Sequence, residues 1–239
     1  MSRTDGRGPS DIRPVSYQAD YLEWAEGSVL LEMGKTRVLC AASYESRVPP
    51  WLSGKGTGWV TAEYSMLPRA TSERTPREAS RGRLSGRTQE IQRLIGRSLR
   101  AVVRFDRLGE RTIWVDCDVL QADGGTRTAA ITGGYIALAR AVRTLSERGE
   151  IPAEVLSGSV AAVSAGIVDG ERLVDLSYEE DSRAEVDFNV VMTDSGELVE
   201  VQGTAEGEPF TRADLDEMVS LAAEGIERLT AIQREAVSA

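Results

Sequence analysis

The chain predicts an α+β fold built from two β-rich halves, about 1–150 and 151–239, each closed by helix and together forming one domain over 1–239. Three observations carry this expectation. Apolar runs separated by glycine-containing turns fill 28–66 and 158–206. Helical spacing of apolar residues follows each block, at 85–103 and 128–146 in the first half and at 212–232 in the second. A chain of 239 residues is also long enough to bury one good core.

Residues 1–26 are polar and turn-rich, with Pro9 and Pro14, and predict an extended arm ending in a short strand, with Tyr17, Tyr21 and Trp24 as anchors. The runs 28–33 and 36–44 flank Gly34-Lys35 and read as a β-hairpin. Pro49, Pro50, Gly54, Gly56 and Gly58 mark a loop before a strand over 59–66. Residues 67–84 hold Pro68, Pro76, Gly82 and five arginines with almost no large apolar side chain, so they predict a mobile basic loop that packs no core of its own. Ile91, Leu94, Ile95, Leu99, Val102 and Val103 recur at helical spacing and predict a helix from Ser85 or Gly86 to Val103, with Arg87 in its first turn. A strand over 111–120 leads into a glycine turn. The helix after it carries Ala129, Ala130, Gly133, Gly134, Ala137, Ala139 and Ala141, small residues that permit close packing. In the second half, strands over 158–168 and 172–177 join at Asp169-Gly170. Strands over 184–193 and 197–206 join at Asp194-Ser195-Gly196, before the last helix.

Composition excludes several function classes. No apolar stretch approaches the ~20 residues needed to cross a bilayer, and the start lacks the apolar segment of a signal peptide, so the expected location is the cytoplasm, with no membrane partner. Zero histidines exclude Ser-His-Asp and Cys-His catalysis, His-ligated zinc and RNA cleavage by paired imidazoles. Cys40 and Cys117 sit singly in apolar runs, as reduced core thiols do. Chemistry is left to carboxylates, hydroxyls, Lys, Arg and metal ions.

The net charge of −10 argues at first against nucleic acid, yet it is unevenly distributed. Between Arg69 and Arg111 stand twelve arginines, five acids and no lysine, a local balance of +7 that leaves −17 for the remainder. Arginine without lysine favours forked recognition of phosphate over diffuse steering, although a solvated helix face would look similar.

Two stretches carry chemistry. Asp123-Gly124-Gly125-Thr126-Arg127-Thr128 lies between strand and helix, where adjacent glycines expose backbone N–H groups and the helix start adds unpaired donors and a positive dipole end. It is either an anion site or simply a tight turn, and it is not a P-loop, since no Gly-Lys-Ser/Thr follows. The second stretch runs from Asp175 to Asn189. Alternation over 185–192 would send Val186, Phe188, Val190 and Met192 to the core and Glu185, Asp187 and Asn189 outward together. Such a face is either solvated or a carboxylate pair for Mg²⁺, and sharing one ion between Asp181 and Asp187 requires a bend near Ser182.

Long motifs now carry a family resemblance: Arg81-Gly82-Arg83, Ser85-Gly86-Arg87-Thr88-Gln89-Glu90, Asp116-Cys117-Asp118 through Asp123-Gly124-Gly125-Thr126-Arg127, Asp175-Leu176-Ser177-Tyr178-Glu179-Glu180-Asp181, and Ala184-Glu185-Val186-Asp187 with Asn189. In this order, nearly end to end from Arg3 onward, they resemble the bacterial ribonuclease PH family, related to polynucleotide phosphorylase and the exosome ring. Phe188, where methionine is common in relatives, is a conservative change. The resemblance implies a ribosomal protein S5 domain 2-like fold and a phosphorolytic 3'-to-5' exoribonuclease that trims the 3' trailers of tRNA precursors. Inorganic phosphate would be the co-substrate and nucleoside 5'-diphosphates the products. It implies a homo-hexamer of three dimers around a central opening. Carried over by residue, phosphate binding falls to Arg87, Gly125, Thr126 and Arg127, Mg²⁺ binding and catalysis to Asp181 and Asp187, and RNA 3'-end contacts to Arg69, Arg74 and Arg77. The competing readings are a catalytically silent RNA-binding ring subunit and a general RNA-degrading phosphorylase.

Overall fold

A computed structural model describes residues 3–239, without the side chains of residues 79 and 81, so the Arg81 side chain of the first motif lies outside the described residues. The first sheet is formed by β1 (Val15–Ala19), β2 (Gly27–Met33), β3 (Thr36–Glu45), β4 (Trp59–Met66) and β5 (Thr112–Gln121), in the order β1-β2-β3-β5-β4. β2 and β3 are the expected hairpin, β3 runs antiparallel to β5, and β4 runs parallel to β5 at the edge. The second sheet comprises β6 (Val160–Val168), β7 (Glu171–Val174), β8 (Val186–Thr193) and β9 (Leu198–Ala205), all antiparallel in the order β7-β6-β8-β9. The helices are α1 (Gly86–Arg100), α2 (Phe105–Leu108), α3 (Thr126–Glu147), α4 (Tyr178–Asp181) and α5 (Arg212–Ser238). The α+β class read from the sequence is the class observed.

α3 holds the two halves together. It packs on β2, β3 and β5 on one side and on β6 and α5 on the other, so it is buried nearly all round. Its small residues set the spacing: a Cβ at Gly133 would lie 2.9 Å from Cys40 Sγ. Ile131, Ile136, Leu138 and Leu145 are fully buried there, and each contributes about 2 kcal/mol of apolar transfer. Cys40 and Cys117 are register partners on β3 and β5, buried and free, as their apolar surroundings led us to expect.

Two helix ends depart from the periodic pattern, each for a tertiary reason. α1 begins as expected, with Ser85 Oγ accepting from the Thr88 N–H as N-cap, but ends at Arg100 and not at Val103. Val103 bridges to Leu156, and Arg104 N–H donates to Val155 O, so the chain leaves the helix to bond with the second half. α5 continues past 232 because Leu229, Gln233 and Ala236 remain buried, with Gln233 Nε2 donating to Thr132 O and Val160 O. The loop over 67–84 is anchored at both ends. Ala70 is buried and accepts from Ala122 N–H, while the Glu78 carboxylate accepts from Ser85 N–H and the Thr88 hydroxyl.

Candidate active site

β5 delivers the chain to Gly124 and Gly125, both left-handed at φ 76° and 62°, and Gly125 is the residue from which α3 starts. Only glycine adopts successive left-handed positions without strain. At Gly124 space decides as well, since a Cβ would lie 2.5 Å from Leu176 O. Thr36 Oγ1 fixes the turn from behind, donating to Gly124 O at 2.7 Å and accepting from Asp123 N–H at 2.9 Å. Thr126 and Arg127 then form the first turn of α3, whose unpaired N–H groups and dipole favour an anion.

The bend required near Ser182 exists. α4 is a single turn in which the Glu180 carboxylate accepts from both Ser177 N–H and Ser177 Oγ, and it ends at Asp181. Ser182 keeps a helical conformation, and Glu185 N–H donates to Ile167 O, so the chain folds back and enters β8 one residue before Asp187. Asp181 and Asp187 thereby face one cleft of about 290 Å³, together with Arg87, Gly125, Thr126 and Arg127. Six of the residues named from the sequence meet there. Arg69, Arg74 and Arg77 do not: they are exposed on the loop over 67–84, whose Thr71 lines the cleft, and Arg69 donates to Ser72 O. Glu185 also departs from the expected outward row, lying before β8 and accepting from Gly170 N–H, whereas Asn189 lines the cleft and is buried.

Further side chains orient these groups. Tyr64 OH donates to Thr126 Oγ1 at 2.9 Å; burial pushes the phenol up, so it stays neutral and leaves the threonine's own proton for another acceptor. Arg127 Nη1 reaches Gln202 Oε1 at 3.1 Å and Glu90 Oε1 at 3.5 Å, and Gln202 Nε2 donates in turn to Glu90 and Glu200. Ser164 and Tyr178 complete the wall. Nothing in the local pattern around Tyr64, Ser164 or Gln202 marks them, because each matters through a partner distant in sequence.

The electrostatics are those of a carboxylate pair held against its own repulsion. Burial, then the neighbouring Asp181, pushes Asp187 up to about 6, with Arg127 and Arg87 acting the other way. Burial also pushes Asp181 up, opposed by Arg87, Arg127 and Arg13. Two hard oxygen donors with unrelieved negative charge suit Mg²⁺, which takes one or two carboxylates and completes its shell with water and phosphate oxygens. Among the described residues no group of three or more His, Cys, Asp or Glu side chains is arranged to hold a metal.

Comparison with known proteins supplies the family. Residues 11–143 match domain 1 of the 3' exoribonuclease family, RNase_PH, and residues 158–225 match its domain 2. The chain is 63% identical over 235 residues to the Ribonuclease PH of Moorella thermoacetica, which spans 98% of this chain and 94% of that protein. Its fold is shared with an Archaeoglobus fulgidus exosome with RNA bound to the active site, at a TM-score of 0.80 and 21% identity over 97% of this chain and 92% of that one. An archaeal exosome core gives a TM-score of 0.75 at 21% identity, over 100% and 92%. With both family domains matched in order and a relative this similar along almost its whole length, the chain belongs to the RNase PH family of phosphate-dependent 3' exoribonucleases.

Proposed function

We propose that this phosphorolytic 3'-to-5' exoribonuclease works in the cleft between α3 and α4, trimming the 3' trailers of tRNA precursors. The observation that carries the assignment is the meeting of an anion-binding helix start and Arg87 with two strained carboxylates in one cleft. In the reaction an oxygen of inorganic phosphate attacks the phosphorus of the last phosphodiester and its bond to the 3'-oxygen breaks. The terminal nucleotide leaves as its 5'-diphosphate, and the 3'-oxygen of the shortened RNA takes up a proton. One phosphate ester linkage is exchanged for a diphosphate linkage, so the reaction is reversible.

The chain's own groups position and neutralise. The N–H groups of 125–127, the Thr126 hydroxyl and the Arg87 guanidinium hold the attacking phosphate in line, converting a bimolecular encounter into an ordered one. Arg127, held by Gln202 and Glu90, offsets charge on the transferring group. Asp181 and Asp187 would hold Mg²⁺. Bound there, the ion would supply positive charge against the phosphoryl oxygens. Arg69, Arg74 and Arg77, exposed beside the cleft, guide the RNA 3' end. The whole chain over 1–239 acts as one catalytic domain, since its halves share α3. The assembly is a ring, a homo-hexamer of three dimers, which pools the arginines of several subunits. No helix among the described residues is long and apolar enough to cross a membrane, and the proposed place of action is the cytoplasm.

The test is to incubate the protein with Mg²⁺ and an RNA bearing a short 3' tail, with and without inorganic phosphate, and to identify the released nucleotides. Nucleoside diphosphates only when phosphate is present is the expected result. Phosphate-independent monophosphates would mean hydrolysis, and RNA binding without release would favour a silent ring subunit.

A further inference from the structure

Behind the cleft lies a buried charge cluster contributed by the N-terminal arm, with no place in the chemistry above. Arg13 and Asp175 are both buried, and their contacts divide in two. On one side Asp175 Oδ2 accepts from the Arg13 backbone N–H at 2.7 Å and from Nε at 3.0 Å, and Oδ1 accepts from Nη2 at 2.7 Å. On the other side Nη1 donates to Asp123 O and Nη2 reaches Gly124 O at 3.5 Å. The guanidinium thus grips a carboxylate with one edge and the carbonyls of the glycine turn with the other. Asp175 is itself held in a left-handed conformation, φ 53°, which Asp and Asn tolerate better than most residues. Its N–H donates to Ser164 O, and the Ser164 hydroxyl accepts from Leu176 N–H.

Peptide geometry gives this grip a consequence. In a planar trans peptide the C=O and the following N–H point in opposite directions. The Asp123 carbonyl drawn towards Arg13, and the Gly124 carbonyl shared between Arg13 and Thr36 Oγ1, therefore turn the N–H groups of Gly124 and Gly125 away from that side, and both glycines line the cleft. A second strut meets the first. Arg3, also buried, binds the Glu180 carboxylate at 2.7 and 2.8 Å and donates to Asp175 O at 3.0 Å, and Glu180 caps the helical turn that ends at Asp181.

We propose that Arg13 and Asp175 are positioning residues for the phosphate subsite: as a buried pair they hold the Asp123 and Gly124 carbonyls back and so aim the Gly124 and Gly125 amides at the attacking phosphate. A buried ion pair is seldom the cheapest way to fill a core, since apolar side chains of similar volume often serve as well. Its value here lies in a fork that bonds a carboxylate and two turn carbonyls at once, which a lysine's point charge cannot do.

The inference rests on the reading of 125–127 as the phosphate site, so the experiment carries a reference for that reading. Steady-state rates with a tailed RNA are measured for Arg13→Lys, Asp175→Asn and Arg87→Ala, each titrated separately in phosphate and in RNA. Asp175→Asn keeps the size and the tolerance of positive φ while removing the charge and one of the two acceptor oxygens that face Arg13. For Arg13→Lys and Asp175→Asn the KM for phosphate should rise about tenfold or more, the KM for RNA should stay within about twofold, and kcat at saturating phosphate should largely recover. A purely structural role would instead lower the active fraction, reducing kcat at every phosphate concentration with the phosphate KM unmoved, and would overturn the inference. If Arg87→Ala raises the phosphate KM while the other two do not, the inference fails and the site reading stands. An unchanged phosphate KM in Arg87→Ala would remove the site reading and the inference with it. Failure of both Arg13→Lys and Asp175→Asn to fold would make the pair a determinant of the fold, which also overturns the assignment.

Discussion

At Asp187 folding and chemistry make opposite demands. Burial and the charge of Asp181 push its carboxyl from an ordinary 3.8 up to about 6, so the folded state holds a proton there more tightly than the unfolded chain does. The contribution to stability is therefore fully present below about pH 4 and is lost as the pH rises through about 6. At neutral pH the chain carries an ionised carboxylate that its own fold disfavours. Asp187→Asn removes that charge at nearly constant volume. The variant should be more stable than the parent near pH 8 by on the order of 1–2 kcal/mol, a shift of this size discounted for partial exposure, and no more stable near pH 4. Turnover should be abolished. Melting temperatures without divalent cations, compared at the two pH values, check this; equal melting near pH 8 would mean that Asp187 is not held against its own charge.

The joint between the glycine turn and α4 shows the same logic at the scale of elements. Gly124 touches the backbone of 176–178, so the piece that would bind phosphate and the piece that carries Asp181 meet with no side chain between them. Gly124→Ala would place a Cβ 2.5 Å from Leu176 O and impose a left-handed conformation on a residue that resists it. It should lose about 2 kcal/mol or more of stability, and phosphate-dependent turnover should fall well beyond the loss of folded protein. Gly196, at φ 84° in the β8–β9 turn with open space around it, is the matched control. Gly196→Ala should lose only about 1–2 kcal/mol and keep its activity. Chemical denaturation and rate measurements on the pair decide it; equal losses of activity would mean that the joint does not matter. The elements most legible in the sequence were those fixed locally. The β2–β3 hairpin, the strand over 59–66, the start of α1 and the glycine turn follow from alternation, capping and turn chemistry within a few residues. The ends of α1 and α5 are fixed by Leu156 and by the Gln233 bonds, which no local window contains. α4 is four residues long and has no period to read. At the site, residues alone pointed to the glycine turn and the acidic strand, and the family resemblance named the rest. Arg13 stayed invisible because its partner Asp175 lies 162 positions away.

Taken whole, the subunit leaves apolar and basic surface that a ring would use. Trp24 is 90% exposed and Trp51 55%, with Tyr21 and Leu22 also exposed near the edge of the first sheet. Large aromatic side chains left in water are the usual anchors of protein interfaces, and closed symmetric assembly buries the same patch on every copy. The basic segment leads to the same end from charge. With −10 on the chain and +7 concentrated over 69–111, one subunit repels RNA over most of its surface, whereas six around an opening would present their arginines together. Sedimentation should therefore give a species of roughly six times 25.9 kDa. Trp24→Ala combined with Trp51→Ala should leave the far-UV spectrum of the fold intact but shift the protein to smaller species. RNA affinity should fall with the mass, because the shared basic path is broken even though every arginine remains. A double variant that stays hexameric would place the interface on another surface. A parent protein that sediments as a monomer while binding RNA tightly would show that one subunit's arginines suffice, and the charge argument for the ring would fall.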